Sequence, residues 1–362
     1  MVFRKSGHIK SNEKWYYGNE LLVNTDHFNY LGVIVSYTGS FSKHINNLSK
    51  KGLKSLYALS SKLNCYIRNL DVSILLNLFD SHVASVLNYG CEIWGFHNAP
   101  TIERVHRKFL KKILNVNINA NNEVVYGETG RFPFFIHRQI QILKYWFKLN
   151  STSNVILKYN YEMLKSISYD KQNWVSLLRN MLFKYGFGYV WYNPLSINKE
   201  SFLPIFIQRI HDVYITEWRE AMEKSTRLYL YREIKCNFGL EFYLTNIKNK
   251  KYRDTLCKFR CISHDLAIET GRRGSNRVER QNRICIYCEK RDIEDEYHFL
   301  FICPLYKELR IKYIDKKLWK SPSMYNLVKL LKIEEPNTLK DLARFISEAL
   351  SIRKLTTYTV NV

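Results

Sequence analysis

The feature that most constrains this chain is a change of hydrophobic period near Ser40. Before it, residues 14–17 and 20–23 are short aromatic and aliphatic runs that flank Gly18-Asn19, a pair suited to a tight hairpin turn. A third strand is expected over residues 28–36. After it, Phe41, Ile45, Leu48, Gly52, Leu56, Leu59 and Leu63 recur at spacings of three and four, the stripe of an amphipathic helix. The same period predicts helices over 72–87, 101–114, 136–149, 171–185, 202–222 and 246–268. Breakers fall at Pro100, Pro133 and Pro194, and at Gly271 with Gly274. The expected fold is therefore mainly α, with a short N-terminal β-hairpin and strand segment. No apolar run reaches the length of a transmembrane helix, and no apolar stretch follows the basic residues of the first ten, so a soluble intracellular protein is expected.

Eight cysteines occur: Cys65, Cys91, Cys236, Cys257, Cys261, Cys285, Cys288 and Cys303. In a 362-residue chain with no secretory signature, an even count does not argue for disulfides. Cys285-x2-Cys288-x9-His298-x4-Cys303 instead has the spacing of a metal site. Zinc takes four tetrahedral nitrogen or sulfur ligands, and a Cys-x2-Cys loop lets two thiolates meet one ion while His298 and Cys303 close the far side. With all four positions filled by protein, the zinc would be structural. The alternative is three buried thiols and a core histidine. Cys257-x3-Cys261-x2-His264 offers only three donors, at helical spacing in an apolar stretch, so core packing is expected there.

Charge narrows the class of partner. With 56 Lys and Arg against 33 Asp and Glu, the net charge is +23, which favours polyanions and nucleic acid first among them. The excess is uneven. Residues 1–150 hold 19 basic and 9 acidic groups, and residues 248–291 hold 13 and 5 in only 44 positions. In the first segment Arg104, Arg107, Lys108, Lys111 and Lys112 fall on one expected helix face, opposite Ile102, Val105, Phe109 and Ile113, and can follow a phosphate backbone. In the second, Arg272, Arg273, Arg277, Arg280 and Arg283 form an expected mobile arm suited to bidentate phosphate contacts. Tyr287, Tyr297 and Phe299 interleave with the metal ligands, as base-stacking platforms or as a mini-core.

No Gly-rich phosphate loop, nucleophile elbow, His-Glu-x-x-His helix or adjacent Asp-Asp pair is present. The one acidic cluster, Glu294-Asp295-Glu296, is expected to face solvent or to lie beside the metal ligands, not to be catalytic. No catalytic residue is assigned.

Taken in order, several motifs resemble the C-terminal part of a non-LTR (LINE-type, jockey-like) retrotransposon reverse transcriptase. Phe28-Asn29-Tyr30-Leu31-Gly32-Val33 is similar to the family's primer-grip strand, and Phe41 to His44 to the start of its thumb. Asn88-Tyr89-Gly90-Cys91-Glu92-Ile93-Trp94-Gly95, Arg107-Lys108-Phe109-Leu110 and Tyr126-Gly127-Glu128-Thr129-Gly130-Arg131-Phe132-Pro133 resemble successive downstream signatures. His264, Leu266, Glu269, Gly271 and Arg272, then the metal set with Glu296, Phe299, Pro304, Tyr306 and Arg310, resemble the terminal zinc knuckle. The resemblance implies residual palm and primer-grip strands over 1–38, a helical thumb over 39–150, a helical connector over 151–247, a basic arm and CCHC knuckle over 248–310, and C-terminal helices over 311–362.

Departures from the family matter as much. The endonuclease, fingers and aromatic-x-Asp-Asp palm motif are missing, and Met1-Val2-Phe3 resembles the strand after the catalytic hairpin. The resemblance thus implies a non-enzymatic fragment that binds template-primer or target DNA, with a structural zinc, no membrane association, and a longer element-encoded reverse transcriptase as a partner in trans. It implies a nuclear location or a cytoplasmic ribonucleoprotein. A helical protein-interaction module, or one half of a complete reverse transcriptase, are the alternatives.

Overall fold

A computed structural model describes residues 1–2, 13–63, 70–273 and 277–360, and within it the side chains of residues 63 and 357–360 are not described. Phe3, Cys65 and Gly274, named above, lie outside the described residues. Among the described residues the chain is mainly α-helical, with two short antiparallel hairpins near its start. The first pairs Trp15–Tyr17 with Glu20–Leu22 across a turn in which Gly18 has φ +58°.

The expected third strand is instead a second hairpin. His27–Tyr30 pairs with Val33–Ser36 around Leu31 and Gly32, whose φ values are +48° and +83°. Positive φ at both central residues twists the turn in the sense the flanking strands need. Leucine is a poor residue for that conformation, so the sequence carries only half of the usual signal. The Tyr89 hydroxyl donates to the Leu31 carbonyl at 2.8 Å and holds the turn in place.

Helices form where the period predicts them at Ser42–Leu63, Pro100–Ile113, Phe134–Asn150, Trp174–Lys184 and Lys199–Glu223. Pro100 and Pro133 start helices rather than break them, because the first turn has no intrahelical acceptor for the missing N–H. Two predicted helices are not continuous. Residues 72–87 pass from Val72–Phe79 through a wider π turn at Asp80–Ala84, and the run 246–268 ends at Arg260, beyond which Ile262 takes φ +54°. Periodicity does not predict the helix Asn122–Thr129. It is eight residues long and buried from Val124 through Thr129, so no polar face alternates with an apolar one; Asn121 caps it, accepting from the N–H groups of Glu123 and Val124.

The chain divides into two compact units, residues 1–59, 79–106 and 132–213 forming one and residues 60–78, 107–131 and 214–362 the other. In the first, Trp94 and Trp146 are fully buried, and Trp146 stacks on Trp191 while its indole N–H donates to the Tyr161 hydroxyl at 2.9 Å. The buried Glu103 carboxylate accepts from the N–H groups of Phe134 at 3.1 Å and Phe135 at 3.0 Å, and faces Arg138 at 3.4 Å. Those N–H groups begin a helix and have no carbonyl of their own, so a carboxylate satisfies them and the helix dipole together.

In the second unit the core gathers around Trp218, Tyr231, Phe259, Phe299 and Phe345. Gly127 lies so close beneath it that a Cβ there would stand 2.7 Å from the Trp218 ring and 2.8 Å from the Tyr231 hydroxyl. Among the described residues no helix is long and apolar enough to cross a membrane.

Glu103→Ala removes the carboxylate that accepts from the Phe134 and Phe135 N–H groups and faces Arg138, so it should lower stability by about 3 kcal/mol. Urea unfolding checks this: the midpoint should fall with the slope unchanged. Glu103→Gln, which keeps one acceptor oxygen, should lose less.

Candidate metal centre

The centre is built on a hairpin too small to have its own core. Ile284 bridges Ile293, the Cys285 N–H donates to the Asp292 carbonyl at 2.8 Å, and the Glu294 N–H donates to the Arg283 carbonyl at 2.9 Å. These bonds fold Cys285-x2-Cys288 into the tip, with Arg291 at φ +51° turning the chain back. The other two ligand residues come from one wide turn, His298–Ile302. The Cys303 N–H reaches back five residues to the His298 carbonyl at 2.8 Å, and Asp295 caps the turn by accepting from the His298 N–H at 2.9 Å. Five residues along a regular α-helix lie well round its axis, whereas an i to i+5 turn brings them back to one side. The four-residue gap between His298 and Cys303 therefore suits this local conformation.

The four ligand atoms all lie within 4.8 Å of one another. The Cys285 and Cys303 sulfurs are 4.0 Å apart, and the Cys288 sulfur is 3.5 Å from His298 Nε2. Ligands at about 2.3 Å for sulfur and about 2.0 Å for nitrogen around a tetrahedral ion stand about 3.5 to 3.8 Å from each other. The set is thus of the right size to hold a metal ion. Cys285, His298 and Cys303 are buried and Cys288 half-buried. The contact with Cys303 and then burial push the Cys285 thiol up to about 12, and the same contact lowers Cys303. Burial raises Cys288. Thiolates this close repel one another, and a cation between them removes the cost. Nδ1 of His298 faces the Asp292 carboxylate at 3.5 Å, close enough to orient the ring although longer than a hydrogen bond.

Three further side chains fasten the centre. Arg310, buried, donates from Nε to the Leu300 carbonyl at 2.7 Å and from Nη2 to the Cys303 carbonyl at 2.8 Å. Arg353, from the helix Pro336–Val360, makes a two-pronged contact with Glu294 at 2.6 and 2.8 Å and lies 5.0 Å over the Tyr287 ring. Glu296 pairs with His264 at 2.9 Å. The acidic cluster is therefore not solvent-facing: Glu294 and Glu296 are buried structural partners, and Asp295 holds the ligand turn. Cys257 and Cys261 are buried with their sulfurs 3.7 Å apart, and His264 turns to Glu296, so this trio packs in the core as expected and stays out of the metal set. Phe299 is also core, packed between Phe259 and Tyr306, which removes it as an open stacking platform; Tyr287 is half-buried, with Arg353 over one face of its ring. Tyr297 makes an edge contact with Phe301.

The predicted cations separate into two groups. Along Pro100–Ile113, Arg104, Lys108 and Lys112 are exposed and Arg107 is half-buried, but Lys111 departs from the stripe. Its side chain turns inward, Nζ donates to the Ile118 carbonyl at 2.8 Å, and burial lowers its pKa. In the expected arm, Arg272 contacts Glu269 at 3.2 Å, Arg273 contacts Asp265 at 3.0 Å, and Arg283 donates to the carbonyls of Ile268 and Val278. Arg280 is 3.8 Å from Asp295, and Arg277 is exposed with no partner among the described residues. Most of this arm is thus tied to the body instead of reaching outward.

Sequence reasoning gives no bracing role to Arg310 and does not single out Arg353 or Asp292. Carbonyl acceptors leave no mark in a sequence, and Arg353 is 59 residues from Glu294. Comparison with protein-family models, curated proteins and solved structures finds no match to this chain.

Metal retention after dialysis is expected to be abolished by Cys288→Ser and unaffected by Cys257→Ser. Arg310→Ala should keep the stoichiometry but speed metal loss to a chelator, because the Cys303 carbonyl loses its brace. Metal loss from Cys257→Ser would show that the ligand set is wrongly drawn.

Proposed function

We propose that this chain is a nucleic-acid-binding segment whose C-terminal region is held by one structural zinc ion, corresponding to the end of a non-LTR retrotransposon reverse transcriptase. The observation that carries the reading is the closed Cys285, Cys288, His298 and Cys303 set within a chain of net charge +23. Three sulfurs and one imidazole favour zinc over the oxygen-seeking magnesium and calcium. Four protein ligands leave no place for an activated water, so the ion supports folding rather than chemistry.

Phosphate contacts are assigned first to the exposed row Arg104, Lys108 and Lys112, spaced at one turn each along a helix. The order of the motifs quoted above supports the family assignment. In this reading the nucleic acid is an RNA template or target DNA, and nucleotide addition belongs to a longer reverse transcriptase acting with this chain. No residue here is assigned to a two-metal reaction.

Elemental analysis of protein purified without chelator should find one zinc per chain. Affinity for mixed-sequence duplex DNA should fall steeply with salt, and neutralising Arg104, Lys108 and Lys112 together should flatten that slope by about 0.9 for each phosphate no longer neutralised. Binding that ignores salt would point instead to a protein-interaction module and would overturn the reading.

A further inference from the structure

We infer that the groove between the helices Lys250–Arg260 and Pro336–Val360 is a slot for the phosphodiester backbone of a nucleic-acid strand. The inference rests on the nucleic-acid-binding reading above and gives it a second surface. The two helices pack side by side and leave between them a groove of about 540 Å³. Lys251 and Lys258 line one wall and Lys354 the other. Lys251 and Lys258 are seven residues apart, which is about 10.5 Å along a helix, a span longer than one phosphate and suited to a row of them.

The charge in this groove is uncompensated for a specific reason. Asp265 is engaged by Arg273 at 3.0 Å, Arg353 by Glu294, and His264 by Glu296 at 2.9 Å. Each of those neighbours already has a partner. Among the described residues no carboxylate lies within ion-pair distance of Lys251, Lys258 or Lys354, so three positive charges remain facing the slot.

An independent observation points to the same ligand. Ser347 lines the groove with only 3% of its surface exposed, and its Oγ has no hydrogen-bond partner. Buried hydroxyls are nearly always paired, since leaving one bare forfeits its hydration. Turned toward the slot, it would donate to a phosphate oxygen held between the lysines. A concave slot of this kind admits a strand, whereas a flat lipid surface would touch only its rim.

The groove is also joined to the metal hairpin. Its lining includes His264 and Arg353, whose partners Glu296 and Glu294 stand two and four residues before the ligand His298. Metal removal should therefore weaken binding through this slot.

The test uses the full chain, with mixed-sequence duplex DNA and a single-stranded RNA of equal length as probes, titrated against salt by fluorescence anisotropy. The combined variant Lys251→Gln, Lys258→Gln and Lys354→Gln should retain its helicity and metal and should lower the duplex slope by roughly 2 to 3, at about 0.9 for each phosphate released. Ser347→Ala should weaken binding several-fold while leaving the slope unchanged. The control variant Lys158→Gln, Lys171→Gln and Lys199→Gln should leave both alone. A wild-type slope in the groove variant, with flattening only when Arg104, Lys108 and Lys112 are neutralised, would overturn the slot and leave the function standing. Absence of wild-type binding to either probe would overturn both. Vesicles of phosphatidylserine bound with the same lysine dependence would replace the strand by a lipid surface and refute the proposed occupant.

Discussion

A buried guanidinium organises the second unit. Arg260 is almost wholly enclosed, with Glu241 at 2.6 Å, Glu128 at 3.4 Å and the Tyr243 ring 5.2 Å beneath it, and it also donates to the Leu331 carbonyl. Those partners come from separate segments of the chain, and a charge without water can be left by none of them cheaply. Burial drives the Glu128 carboxyl above its usual range, with Arg260 and a 2.6 Å hydrogen bond from Tyr243 opposing the shift. Lys235 completes the cluster by pairing with Glu241. The hydrophobic core supplies most of the gain from burial, but it is non-directional. The ionic cluster requires one arrangement of the helices Asn122–Thr129, Lys250–Arg260 and Met324–Leu331.

That arrangement has a consequence on the opposite face of Lys250–Arg260. With Arg253, Leu256, Cys257 and Arg260 committed inward, Lys251, Thr255 and Lys258 are left to line the groove against the C-terminal helix. Arg353 of that helix then pins Glu294, and Arg310 pins the Cys303 carbonyl. A hairpin of this size buries too little apolar surface to hold itself. Arginine forks take over where the hydrophobic effect is insufficient.

Internal pairing also changes how the positive charge is read. Net charge counts every cation equally, but a guanidinium paired with a buried carboxylate contributes little to the outer field. Arg273 pairs with Asp265 and Arg272 shares Glu269 with Arg227, while Lys251, Lys258 and Lys354, which no motif marks, have no carboxylate partner among the described residues. The field that a polyanion would meet is set by which cations remain once those pairs have formed.

What could be read from the sequence depends on near neighbours. Helices such as Ser42–Leu63 and Phe134–Asn150 follow from spacings of three and four, because one face must be apolar to be buried. The gathering of Cys285, Cys288, His298 and Cys303 follows from short spacing, since a small loop can present its side chains in few ways. Local signals fail where tertiary contacts override them. Leu31 takes an unfavourable conformation that Tyr89 stabilises, Lys111 turns inward to a carbonyl, and Glu294 finds Arg353 far along the chain. Burial and pairing of a charge depend on what folding brings to it from afar, so only the tertiary structure decides which charged residues are scaffold and which face a ligand.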